Sequence, residues 1–132
     1  MATASQIIRR ALRLIGAIDA SEALSASDAQ DALETLNAML AEWHEAEIGL
    51  PDYSLSSITD ELASDAADRE AIAYQLALRV SPEYGLPITR DVAEMAQSAM
   101  ARMRLRYFQP GKADLTELPR ICRPFNITTG DY

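Results

Sequence analysis

One cysteine, one histidine, one tryptophan and five glycines are spread over 132 residues. The lone Cys122 cannot close an internal disulfide; it is read as inert, in a chain made in a reducing interior. A two-histidine zinc helix needs a second imidazole four residues from the first, which His44 does not have. Neither a phosphate-cradling glycine loop, nor a serine-hydrolase elbow, nor a cysteine pair is present. No cofactor and no metal are expected. No run approaches the roughly 20 apolar residues of a membrane span. The arginines of MATASQIIRR follow the first apolar pair, unlike those of a secretory leader, so a soluble, uncleaved chain with no membrane partner is expected.

Bases are scarce as well. Lys and Arg number 12 against 20 Asp and Glu, a formal charge of −8, which opposes non-specific binding to nucleic acid. The charge is split along the chain: residues 1–98 hold 17 acids and 6 bases (−11), residues 99–132 hold 3 acids and 6 bases (+3). A basic end that docks where the acidic body cannot is the implied arrangement.

The length and the 48% hydrophobic content suit one core. The spacing predicts an all-α bundle of about four helices over 1–108 and an extended C-terminal docking tail over 109–132. In the first helix Ile7, Ile8, Ala11, Leu12, Ile15 and Ile18 share a face while Arg9, Arg10 and Arg13 share the other, with Gly16 as the stop. Ser27 with Gln30 has the reciprocal capping pattern for a second helix, buried through Leu36, Leu40 and Trp43 and ended by Gly49 and Pro51. Asp28, Asp31, Glu34, Glu42 and Glu45 fall on its wet side. Residues 51–64 read as an ordered connection with short extended pieces, anchored by Leu55, Ile58 and Leu62. A third helix is expected from Asp68 to Ser81, packing Ile72, Leu76 and Val80 and stopped by Pro82. A fourth is expected from a first-turn Pro87 to Phe108, packing Val92, Met95, Ala99 and Met103. Near its end Leu105 and Phe108 leave the stripe, as in a helix meeting another surface. The tail, with three prolines and Leu115, Leu118, Ile121, Phe125 and Ile127, is too irregular for core and too apolar for a solvated end.

The stretch LNAMLAEWHEAEIGLPDY (36–53) holds the histidine and the tryptophan among acids. Acid and base roles for Glu42, Glu45 and Glu47 would require one carboxyl to be desolvated while another stays wet, and this face reads as exposed. Trp43 reads as a core anchor and His44 as a surface residue. Arg102 and Arg106 share a face with Arg104 opposite, so they make no flat phosphate stripe, and cations there also complement the helix dipole.

QIIRRALRLIGAI, DALETLNAMLAEWHEAEIGL and AIAYQLALRVSPEYGLPIT, followed by a long helix, resemble the head-tail connectors of tailed bacteriophages. Among these the chain looks like the tail accessory factors of short-tailed phages, also called packaged DNA stabilisation proteins. The resemblance covers about residues 5–108 and rests on packing and turn signatures: Leu36, Met39, Leu40, Trp43 and Ile48, and the run from Leu76-Ala77 to Tyr84-Gly85. It implies a structural virion protein at the head-tail junction, not an enzyme. Copies of the chain would form a ring, twelve-fold in that family, beneath the portal protein ring. The ring would extend the DNA channel without sequence-specific binding, help retain packaged DNA and carry a downstream tail protein.

Under that implication Arg102, Arg106, Tyr107, Phe108, Arg120, Arg123 and Phe125 are the expected portal-binding residues, and Glu42 and Glu45 face the channel. Arg9, Arg10 and Arg13 would meet Asp28, Asp31 and Glu34 of the next subunit, since a cyclic ring joins unlike faces. Two other classes compete: a small host helical adaptor or regulator, stable as a monomer or dimer, and a carboxylate-based cell-wall glycosidase with a desolvated Glu or Asp in a cleft.

Overall fold

The computed structural model describes residues 2–108 apart from 47, 49 and 52. Along it run β1 (Ala2–Thr3), α1 (Ala4–Leu14), α2 (Ala26–Glu45), β2 (Glu61–Leu62), α3 (Ala66–Tyr84) and α4 (Arg90–Tyr107). The expected four-helix, all-α bundle is present. One small addition is an antiparallel bridge of β1 with β2, Ala2 opposite Leu62 and Thr3 opposite Glu61. The expected tail, residues 109–132, lies outside the described residues.

A reciprocal cap starts α1. Thr3 Oγ1 accepts from the Gln6 amide at 3.4 Å and Gln6 Oε1 from the Thr3 amide at 3.3 Å, which satisfies two otherwise orphaned donors. Gly16 turns the chain at φ 74°. Its amide donates to Arg13 O at 3.1 Å and that of Ala17 to Leu12 O at 2.9 Å, a left-handed closure that a Cβ would oppose. α3 closes the same way at Gly85, φ 62°, with the Leu86 amide reaching Ser81 O.

That closure overturns the expected stop at Ser81, because α3 runs through Pro82 to Tyr84. Pro82 removes only the bond that residue 82 would have donated to Leu78. Continuing the helix buries Ser81, whose Oγ donates to Leu86 O, and half-buries Tyr84. Other boundaries move as well, α3 itself starting at Ala66 ahead of the expected Asp68. α2 is capped by Ser25, whose Oγ accepts from the Asp28 amide at 3.2 Å, and Ser27 lies inside its first turn. α2 also ends at Glu45, ahead of Gly49 and Pro51, as Ile48 and Leu50 turn into the core. Thr89 caps α4 through the Val92 amide, so Pro87 precedes the cap by two residues and the helix closes at Tyr107.

α3 packs on α1, α2 and α4. Leu36, Leu40, Trp43, Ile72, Leu76 and Val80 are buried as expected. Val92 and Met95 are not core: Val92 is half-buried and Met95 is 47% exposed. The reason is that α4 has its main partner in α3, so its buried stripe narrows to Ala96, Ala99 and Met103 and the residues beside it stay wet.

The connection after α2 is pinned by Asn37. Its Nδ2 donates to Leu55 O at 2.8 Å and its Oδ1 accepts from the Leu55 amide at 3.1 Å, while Leu55 itself is buried. Asn37→Ala leaves both backbone groups without these partners and should destabilise the chain by about 1–3 kcal/mol. Thermal unfolding reads the loss; an unchanged midpoint would show that water replaces the amide at no cost.

Candidate functional site

The acid-rich stretch comes first because it invites a catalytic reading. Trp43 is 3% exposed and closes the apolar face of α2. His44 is exposed and its Nδ1 lies 2.8 Å from Leu50 O, which ties the chain leaving α2 back onto the helix end. Glu42 and Glu45 are both exposed, so neither has the desolvation that an acid-base carboxyl needs. Glu42 is ion-paired with Arg79 of α3 at 2.7 Å. Among the described residues no group of three or more His, Cys, Asp or Glu side chains could hold a metal, and no helix is long and apolar enough to cross a membrane.

Two charged faces flank α3. Arg10 of α1 pairs with Glu70 at 2.9 Å, as Glu42 of α2 pairs with Arg79. Nine residues are about two and a half helical turns, so Glu70 and Arg79 project from opposite sides of α3 and staple α1 and α2 to different flanks. Arg9 and Arg13 stay exposed on α1, Arg13 donating to Ala20 O. On α2, Asp31 and Glu34 are exposed, whereas Asp28 is half-buried and accepts from Ser25 Oγ at 2.6 Å. Burial, together with a hydrogen bond to Asp28 and the charges of Asp31 and Glu83, pushes the Tyr84 hydroxyl up to about 12. The start of α2 and the end of α3 therefore form one anionic face.

The third cluster closes α4. Asp68, in the first turn of α3, is 1% exposed. Its Oδ1 is ion-paired with Arg106, and its Oδ2 accepts from the Tyr107 hydroxyl at 2.7 Å. That hydrogen bond, with burial behind it, pushes Tyr107 up to about 12. Tyr53 is raised too, by burial and then by the charges of Asp68 and Asp65, while its hydroxyl donates to Ala63 O. A cleft of about 230 Å³ between α3 and α4, lined in part by Asp68, Tyr74, Met95, Arg102 and Arg106, opens beside this cluster. Its buried carboxylate already has both oxygens engaged.

Arg102, Arg104, Leu105 and Phe108 are exposed around the same helix end, Leu105 at 78% and Phe108 at 69%. Of the expected portal-binding residues, then, Arg106 and Tyr107 reach Asp68, Arg106 with 38% of its side chain still exposed, while Arg102 and Phe108 face out. Arg120, Arg123 and Phe125 lie outside the described residues. Sequence reasoning missed Asp68 and Asn37. An acid in the first turn of a helix is normally a solvated partner of the helix dipole, and nothing local marks this one as buried.

No curated protein sequence matches the chain. The P22 tail accessory factor family does match, over residues 1–118, which takes in all four helices. The fold built around α3, with its surface charge sorted into separate faces, is thus that of a structural, tail-related bacteriophage protein, and the chain belongs to the P22 tail accessory factor family.

Proposed function

We propose that the chain is a head-tail connector. Copies assemble as a ring of twelve beneath the portal at the head-tail junction, extend the DNA channel, help retain packaged DNA and seat the next tail protein. The observation that carries this reading is the family match over residues 1–118. The surface agrees with it: a cationic face on α1 and an anionic face around α2 are the unlike halves that a cyclic contact needs. At the end of α4, exposed Leu105 and Phe108 beside Arg102 and Arg104 offer an apolar and cationic start for the portal-binding tail. Native mass spectrometry of the chain with portal rings from the same source tests the reading. Stoichiometric uptake into a ring-sized complex supports it. A chain that ignores the portal returns the adaptor reading to the front.

Within such a ring Glu42 and Glu45 face the lumen, where negative charge keeps DNA from adhering as it passes. Glu42 is partly offset by Arg79, so Glu45, with no ion-pair partner among the described residues, carries the larger share. Glu45→Lys should slow DNA ejection by roughly two- to tenfold at low salt, and less as salt screens the new contact. Ejection kinetics equal to wild type at every salt concentration would place Glu45 away from the channel.

A further inference from the structure

The last two turns of α4 carry two faces. Ala96, Ala99 and Met103 are buried against α3. Ala101, Arg104, Leu105 and Phe108, spaced at i, i+3, i+4 and i+7, are all exposed. That second set has the spacing of a helix face built to pack, turned well away from the first. It also has the charge to do so. Residues 99–132 carry six bases and three acids, and residues 109–132 carry three of each, so the whole surplus of +3 comes from Arg102, Arg104 and Arg106 on α4.

Beyond the packing of Ala99 and Met103, the end of the helix is tied to α3 by one buried polar side chain. Arg106 and Tyr107 are consecutive, so they leave the helix about 100° apart. One carboxylate that binds both fixes the rotation of the final turn as well as its distance from α3. Asp68 does this from α3, 38 and 39 residues away in sequence, and it is shielded from water. A buried carboxylate with both oxygens occupied holds its donors firmly, because releasing Arg106 leaves a buried charge unpaired and releasing Tyr107 leaves a buried oxygen without its donor.

We propose that Asp68 is a positioning residue: by latching Arg106 and Tyr107 inward it presents Arg104, Leu105 and Phe108 as a preformed docking face for the portal, continuous with the tail that begins at residue 109. The proposal rests on the connector reading. It assigns Arg106 and Tyr107 to orienting the docking element and gives Leu105 the contact. A surface complementary to Leu105 and Phe108 among arginines would be apolar with acidic residues around it. Preorganisation is the gain, since a face already held in its bound geometry loses less entropy on docking.

The test uses the full-length chain and three variants. Hydrogen exchange in the free chain and affinity for purified portal rings are read for each, with circular dichroism as the check on folding. Asp68→Asn keeps the size and removes the charge. Tyr107→Phe removes one hydroxyl and serves if Asp68→Asn unfolds the chain. Leu105→Ser alters an exposed contact only. Asp68→Asn and Tyr107→Phe should speed exchange of the amides of residues 104–108 by about tenfold or more, leave α1 and α2 unchanged, and weaken portal binding by about fivefold or more. Leu105→Ser should weaken binding with exchange unaltered. Unchanged exchange in the first two variants overturns the latch. Faster exchange with wild-type affinity overturns its role in docking, and wild-type affinity in Leu105→Ser removes that residue from the face. Should the unaltered chain itself not bind, the connector reading fails while the exchange data still decide whether Asp68 holds α4.

Discussion

A chain truncated after Phe108 is expected to keep its helical content and lose all measurable binding to the portal ring. Both halves of that result follow from where apolar side chains lie. Among the described residues a continuous core closes between Ala2 and Met103, drawing on all four helices and on Leu50, Leu55 and Leu62 of the connection. The removed segment holds Leu115, Leu118, Ile121, Phe125 and Ile127, together with Arg120 and Arg123. An apolar side chain transferred from water into an interface is worth about 1.5–3 kcal/mol, so losing even three such anchors lowers affinity by roughly a thousandfold or more. A second truncation, after residue 118, sharpens the result because it keeps the whole family-matched span. If Ile121, Arg123 and Phe125 carry the contact, it should bind as poorly as the shorter chain. Full-strength binding by the chain ending at Phe108 would sink the idea that the tail is the docking element.

Periodicity made the four helices legible, since Ile7, Ile8, Ala11 and Leu12 on α1 and Leu36, Leu40 and Trp43 on α2 repeat as a buried helical stripe must. Gly16 was legible too, as the stop of the first helix, and there it takes a positive φ. Other features depend on tertiary context. Pro82 should end a helix on local grounds, yet the burial of Ser81 and the turn at Gly85 outweigh one missing hydrogen bond. Met95 continues the stripe of α4 on paper, but a helix with one main neighbour buries a strip only as wide as Ala96, Ala99 and Met103. Ser27 with Gln30 has the reciprocal capping pattern, yet Ser25 caps α2, because the preceding turn brings its Oγ to the Asp28 amide. The site divides the same way. Exposure of Glu42, Glu45, Arg9 and Phe108 could be read from position on a helix, whereas Asp68 meets Arg106 and Tyr107 only because α3 and α4 pack together, and no pattern within either helix encodes that pairing.

Reversing charge on one face should block ring closure, and a mixture of two complementary reversals should restore it. Arg9→Glu with Arg13→Glu makes the α1 face acidic; Asp31→Lys with Glu34→Lys makes the α2 face basic. Arg10 and Asp28 are left unaltered because they tie elements of the fold, Arg10 through Glu70 at 2.9 Å and Asp28 through the cap of α2, whereas Arg13 gives up only its bond to Ala20 O, with thermal unfolding as the check on folding. Each reversed pair replaces an attraction of about 0.2–1 kcal/mol with a repulsion of similar size, so two pairs cost roughly 1–4 kcal/mol at every interface. A ring repeats that cost at each contact, which suffices to keep either variant unassembled on a portal. Mixed, the two differ in kind. The first has two acidic faces and the second two basic ones, so they can alternate, and alternation closes only in rings of even number, as in the proposed ring of twelve. Salt provides the control: these contacts are exposed, so raising ionic strength should weaken the mixed ring and relieve the block on each variant alone. Native mass spectrometry distinguishes the cases by mass. Variants that assemble singly as well as the wild type would move the subunit contact off these two faces, and a mixture that stays unassembled would show that charge alone does not define it.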